Sequence, residues 1–100
     1  MRFEFKSKKL EALYTEKKEA RKYDAAVVEA FFEVMAIIEA AVDERDIRQF
    51  KSLHYEKLEG KLQHQHSLRL TKQFRLIVER AVDEQGRLLF IIDIDPHRYR

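Results

Sequence analysis

Gln65-His66-Ser67-Leu68-Arg69-Leu70-Thr71-Lys72-Gln73-Phe74-Arg75-Leu76-Ile77 alternates apolar and polar side chains on either side of a short polar centre. That is the pattern of two strands joined by a turn. The alternation also sets the register. With Thr71, Lys72 and Gln73 as the loop, Leu70 faces Phe74, Arg69 faces Arg75, Leu68 faces Leu76 and Ser67 faces Ile77. The leucines and Phe74 then share one face, ready to meet helices. A two-residue loop would set Arg75 beside Leu70 and mix the faces. The three-residue loop has its own cost, because two like charges opposite one another destabilise a bare sheet by roughly a few tenths of a kcal/mol. Two remedies exist. Asp93 or Glu79 would sit between the guanidinium groups, or the pair awaits a phosphate, which guanidinium binds in bidentate fashion.

Outward from this hairpin, strand patterns are expected at about 65–71, 74–81 and 87–94. Asp83-Glu84-Gln85-Gly86 connects the last two, with Gly86 supplying a permissive backbone. The run Leu88 to Ile92 is apolar on both faces and reads as a central strand. Upstream, residues 43–60 read as a linker with one or two short turns that carries Ile47, Phe50 and Leu53 inward. Arg2 to Lys6 alternates around Phe3 and Phe5 as a short strand. Ser7 caps a helix with Leu10, Leu13 and Tyr14 on its apolar side. Asp24 is a second cap, and the apolar arc from Val27 to Val42 is too wide for a surface helix, so it belongs under a sheet. The expected architecture is one α+β domain over residues 1–100, with an N-terminal strand, two helices and then a sheet.

Composition narrows the functional classes. One hundred residues suffice for one core without staples. Cysteine is absent, which excludes disulfides and thiolate zinc sites. Glu29, Glu33 and Glu39 interrupt the most apolar segment, so no membrane helix is expected, and the N-terminus lacks the apolar core of a secretion signal. A reducing cytoplasm is the simplest location. The net charge of +2 hides an asymmetry. Residues 1–44 carry 8 Lys/Arg against 10 Asp/Glu, whereas residues 45–80 carry 9 against 4, with three histidines. Such a basic patch with Phe50, Tyr55 and Phe74 nearby suits RNA or DNA.

The order Leu58-x-Gly60, Gln65-His66-Ser67-Leu68-Arg69-Leu70, Gln73-Phe74-Arg75-Leu76-Ile77 resembles the HigB branch of the RelE/ParE toxin superfamily, over roughly residues 46–97. The resemblance implies a compact fold of helices against a mainly antiparallel sheet, akin to small microbial ribonucleases. It also implies the toxin of a type II toxin–antitoxin pair, which enters the ribosome and cleaves translated mRNA without a cofactor. The partner would be a small antitoxin with a helix-turn-helix domain. By position, Arg75 matches the arginine thought to hold the scissile phosphate, and His97 matches a C-terminal histidine. The tyrosine expected before that histidine is replaced by Pro96, and Tyr99 stands two residues beyond it. The family's Leu-Lys-Gly lysine falls on Glu59, flanked by Lys57 and Lys61, while His54-x-x-Lys57 echoes a His-x-x-Lys pairing of some members. Both alignments of the basic group remain open.

RNA brings its own nucleophile, the 2′-hydroxyl. Cleavage needs a base for its proton, cations for the developing phosphorane charge and an acid for the departing 5′-oxygen. The catalytic candidates are therefore Arg75, His54, Lys57, His97 and Tyr99. Arg69, Lys61, Lys72 and Tyr55 are the RNA-binding ones, Tyr55 by stacking on a splayed base. His64-x-His66 has ligand-like spacing but lacks a third ligand, so no metal is expected, and His66 falls on the apolar face as a core residue. The competing reading is a ParE-like, non-catalytic inhibitor of DNA gyrase. A third is a nucleic-acid-binding domain without toxicity.

Overall fold

The computed structural model describes residues 1–18, 20–59 and 64–96. Five strands form one sheet in the order β1-β5-β4-β3-β2, with the helices on one face. The elements in chain order are β1 (Arg2–Phe5), α1 (Lys8–Glu16), α2 (Ala25–Ala40), α3 (Glu44–Arg48), β2 (Glu56–Lys57), β3 (Gln65–Arg69), β4 (Phe74–Asp83) and β5 (Gly86–Pro96). Short 3₁₀ turns at Ala20–Lys22 and Lys51–Leu53 link them. Antiparallel pairing joins β2 to β5 through β3 and β4, and β1 adds in parallel to β5. The α+β architecture is as expected, and β5 is interior with partners on both sides.

Local chemistry explains the boundaries. Ser7 is extended and its hydroxyl accepts from the Leu10 N–H at 3.2 Å, capping α1. Asp24 occupies the cap position of α2 but its side chain makes no capping bond. Helix α2 buries Val27, Phe31, Val34, Met35 and Ile38, a stripe at helical spacing. These meet Leu68, Leu76, Val78, Leu89, Ile91 and Ile94 of the sheet. Phe3 and Phe5 of β1 join Tyr14, Phe31 and Phe32 in a run of ring contacts, most of them edge-to-face, with centroids 5.4–6.4 Å apart.

The expected linker holds α3, a 3₁₀ turn and β2. Ile47 and Leu53 are buried, as expected, but Phe50 is 47 % exposed. It ends the α3 segment just before the 3₁₀ turn, and its ring lines a surface groove against α2 with Ala36 and Ile37.

The hairpin register is the one read from alternation. Arg69 pairs Arg75, Leu68 pairs Leu76 and Ser67 pairs Ile77. Leu70 N donates to Phe74 O at 3.0 Å, closing the loop. A bulge between Ile77 and Val78 shifts the β4–β5 pairing by one residue, so Arg75 pairs Asp95 and Ile77 pairs Asp93. The helix-free face of the sheet therefore carries Ser67, Arg69, Arg75, Asp93 and Asp95 together.

Candidate nucleic-acid cleft

A cavity of about 290 Å³ opens on the helix-free side of the hairpin. Ser67 and Arg69 of β3, Arg75 and Phe74 of β4, and Thr71 of the loop form its floor, and His54 and Glu56 complete it from the preceding segment. Two guanidinium groups, one imidazole and one carboxylate thus share one concave surface.

Each side chain is held there by backbone geometry. His54 follows the 3₁₀ turn in the left-handed region at φ 45°, which swings its ring back toward β3. Arg69 Nη1 lies 3.4 Å from His54 Nε2. A guanidinium N–H can only donate, so a hydrogen bond here would use the Nε2 lone pair. Glu56 reaches the cleft because β2 pairs Glu56 with Ser67, and strand alternation sends Lys57 the other way. The loop is held by Thr71, whose Oγ1 accepts from the N–H of Gln73 at 3.3 Å and of Phe74 at 3.2 Å.

Arg75 is the most constrained member. Its Nη2 stands 3.6 Å from Asp95 Oδ2, and its Nε is buried with no partner among the described residues. The expected carboxylate remedies, Asp93 and Glu79, are not the ones used: Asp93 faces Ile77, and Glu79 lies 3.9 Å from His64. Asp95 takes the role because of the bulge. At 3.6 Å, and with the carboxylate side chain 48 % exposed, it is a weak brace that leaves the guanidinium able to accept an anion.

The remaining expectations sort clearly. Arg75, Arg69 and His54 converge. Lys57 lines a different cavity on the helix-bearing side, with Glu44, His64, His66 and Arg80. Lys72 is exposed in the hairpin loop beside the cleft. Tyr55 was expected to stack on a base, but it is buried: its O–H donates to Glu44 at 2.9 Å, its ring stacks on His66 at 5.0 Å, and Arg48 covers it. Burial and the Glu44 bond push the phenol pKa up. The ring is a core element with no face to offer a base. Lys61, His97 and Tyr99 lie outside the described residues. Glu56 was missed, and its only sequence signal was its place one residue before Lys57.

Comparison with known proteins bears on the fold and the family. Residues 3–97 match the model of the family described as RelE-like toxin of type II toxin-antitoxin system HigB. Toxin HigB-1 of Vibrio cholerae serotype O1 is 36 % identical over 99 residues, covering 99 % of this chain and all of the relative. Among solved structures, a YoeB/ParE toxin from Agrobacterium tumefaciens aligns with TM-score 0.60 at 17 % identity, covering 98 % of this chain and 100 % of that one. The YoeB dimer from Staphylococcus aureus aligns with TM-score 0.50 at 18 % identity, over 99 % and 98 % of the two chains. The structural likenesses carry the fold, and the sequence match carries the family: this chain belongs to the HigB group of RelE-like toxins of type II toxin–antitoxin systems.

Proposed function

We propose that the cleft is where this toxin holds and cuts messenger RNA, and that Arg75 carries the scissile phosphate. RelE-like toxins are ribosome-dependent mRNA endoribonucleases. The observation that supports this placement is the pair Arg69–Arg75, opposed across two strands on an open face and only loosely braced by Asp95.

The reaction follows from RNA chemistry. The 2′-oxygen attacks the adjacent phosphorus, its proton passes to a base, and the bond to the 5′-oxygen breaks as that oxygen takes a proton from an acid. The products are a 2′,3′-cyclic phosphate and a free 5′-hydroxyl. Glu56 is assigned as base, since its carboxylate has no hydrogen bond or ion pair among the described residues. His54 holds Arg69 through Nε2, which leaves Nδ1 to carry the ring proton. The leaving oxygen's proton comes from His54 or from His97. Arg69 and Arg75 stabilise the extra charge of the phosphorane. Lys72 and Lys61 supply backbone contacts, and Tyr99 the stacking surface. Lys57, on the other side of the strand, takes no part in the cleft chemistry. The reaction needs no metal or cofactor. Its partners are a cognate antitoxin, assigned as a helix-turn-helix protein, and the translating ribosome in the cytoplasm.

The test is mRNA cleavage with translating ribosomes. Arg75→Ala should lower the rate by on the order of 10²–10³, the usual loss for one charge-stabilising donor, without lowering the thermal midpoint. Glu56→Gln should depress the rate and remove the basic-group limb of the pH profile. A folded Arg75→Ala protein that cuts as fast as the parent would overturn the assignment. DNA breaks dependent on gyrase, without RNA cleavage, would replace the reading with the gyrase-inhibitor one.

A further inference from the structure

The β2–β3 edge serves two places at once. Glu56 and Ser67 line the cleft, while their neighbours Lys57 and His66 line a second cavity of about 400 Å³ on the helix-bearing side. Lys57, Arg80 and Arg87 supply its cations and Glu44 its carboxylate. Glu44 is only 7 % exposed and is already committed: it accepts from the Tyr55 O–H at 2.9 Å and from Arg80 Nε at 2.9 Å. Arg80 is half-exposed, so its outer nitrogens remain available. Lys57 has no ion pair or hydrogen bond among the described residues. Arg87 lies near enough to Asp43 to help hold that carboxyl below its usual range, where Arg45 is the main cause.

The second observation is His66, which lines the same cavity at 4 % exposure. Its Nδ1 is buried with no partner among the described residues. Burial, and then the charges of Arg80, Arg48 and Lys57, hold the ring's pKa below its ordinary value against the opposing pull of Glu44.

We propose that this cavity is a second phosphate site, which takes a backbone phosphate of the RNA strand whose reacting phosphate lies against Arg75. Continuity favours a polynucleotide. In the order β1-β5-β4-β3-β2 the two-residue β2 is the sheet's edge, so a strand leaving the cleft past Glu56 rounds that edge and meets Lys57 next. Guanidinium groups beside a lysine suit a tetrahedral polyoxyanion. The site rests on the ribonuclease reading, because it presumes RNA in the cleft.

The experiment follows the His66 ring by NMR titration in the full chain, with inorganic phosphate and with a 2′-O-methylated RNA oligonucleotide, which binds without a free 2′-hydroxyl to react. Both should raise the His66 pKa. Lys57→Ala/Arg87→Ala should abolish the rise and make the log–log salt dependence of oligonucleotide binding shallower by roughly 0.7 for each phosphate that is no longer neutralised. Lys57→Arg/Arg87→Lys should retain both effects, which guards against a folding defect. If the oligonucleotide leaves His66 unmoved while Arg75→Ala still weakens its binding, the second site is refuted and the cleft stands. A rise with an acidic peptide but not with the oligonucleotide refutes it too, in favour of a protein partner. No oligonucleotide binding by the parent, together with no mRNA cleavage on translating ribosomes, overturns both readings.

Discussion

Arg69 and Arg75 are opposed on neighbouring strands where like charges oppose stability. Replacing Arg69 by Thr should therefore raise the urea midpoint, by a stability of roughly 0.2–1 kcal/mol, while cleavage falls. A variant that lost both stability and activity would show that the pair is structural. His66 gives a second residue-scale expectation. Burial lowers its folded pKa, so as pH falls below about 6.5 the unfolded chain takes up the proton first. Stability from this residue is thus intact above that pH and declines as pH drops toward the folded value. The window is distinct from that of the carboxylates: Asp43, hydrogen-bonded by Arg45, is lowered to about 2, and Asp83, bonded by Arg2, is lowered too. Their contribution is lost only at more acidic pH. His66→Phe should flatten the stability profile between about pH 7.5 and 5, measured by denaturant unfolding at each pH. An unchanged slope would mean that the ring does not titrate differently on folding.

At the scale of elements, the hairpin loop is the joint that aims the cleft, while the β4–β5 turn closes the opposite end of the sheet. Thr71→Val removes the acceptor for two backbone N–H groups and should cost about 1 kcal/mol. Thr71→Ser should retain most of that stability. Cleavage should drop more than stability alone explains, since the loop sets where Arg69 and Arg75 stand. Gly86 has φ 110°, and a Cβ there would meet nothing within 4 Å. Gly86→Ala therefore tests backbone strain alone, and should cost roughly 1–2 kcal/mol. The hairpin was legible pair by pair because one buried face makes a one-residue slip costly. The bulge was not legible. It inserts an extra residue in β5 that no periodicity announces, and it alone sets Asp95, rather than Ile94, opposite Arg75. Glu56 stayed hidden for a related reason, because a two-residue strand has no alternation to read. Tyr55 misled because an aromatic among cations reads the same whether it is open to a base or sealed against Glu44 and His66.

For the molecule as a whole, the helices occupy one face of the sheet, and that division keeps core and cleft independent. Phe31 is fully buried and touches both Tyr14 and Phe32, at the junction of α1 and α2. Phe31→Ala should cost about 3–5 kcal/mol, a large share of the roughly 5–15 kcal/mol typical of a domain. For a chain of this size each kcal/mol moves the midpoint by about 4–8 °C, so a drop of more than about 12 °C is expected. A toxin of a type II pair has an antitoxin that binds the folded form, and such binding stabilises by mass action. Phe31→Ala should therefore accumulate in soluble form only when the antitoxin is co-expressed, and its midpoint should rise with antitoxin concentration. Arg75→Ala, outside the core, should need no such support. Equal midpoints for Phe31→Ala and the parent would show that the aromatic junction does not carry the core, and an antitoxin without effect on the midpoint would show that it does not select the native fold.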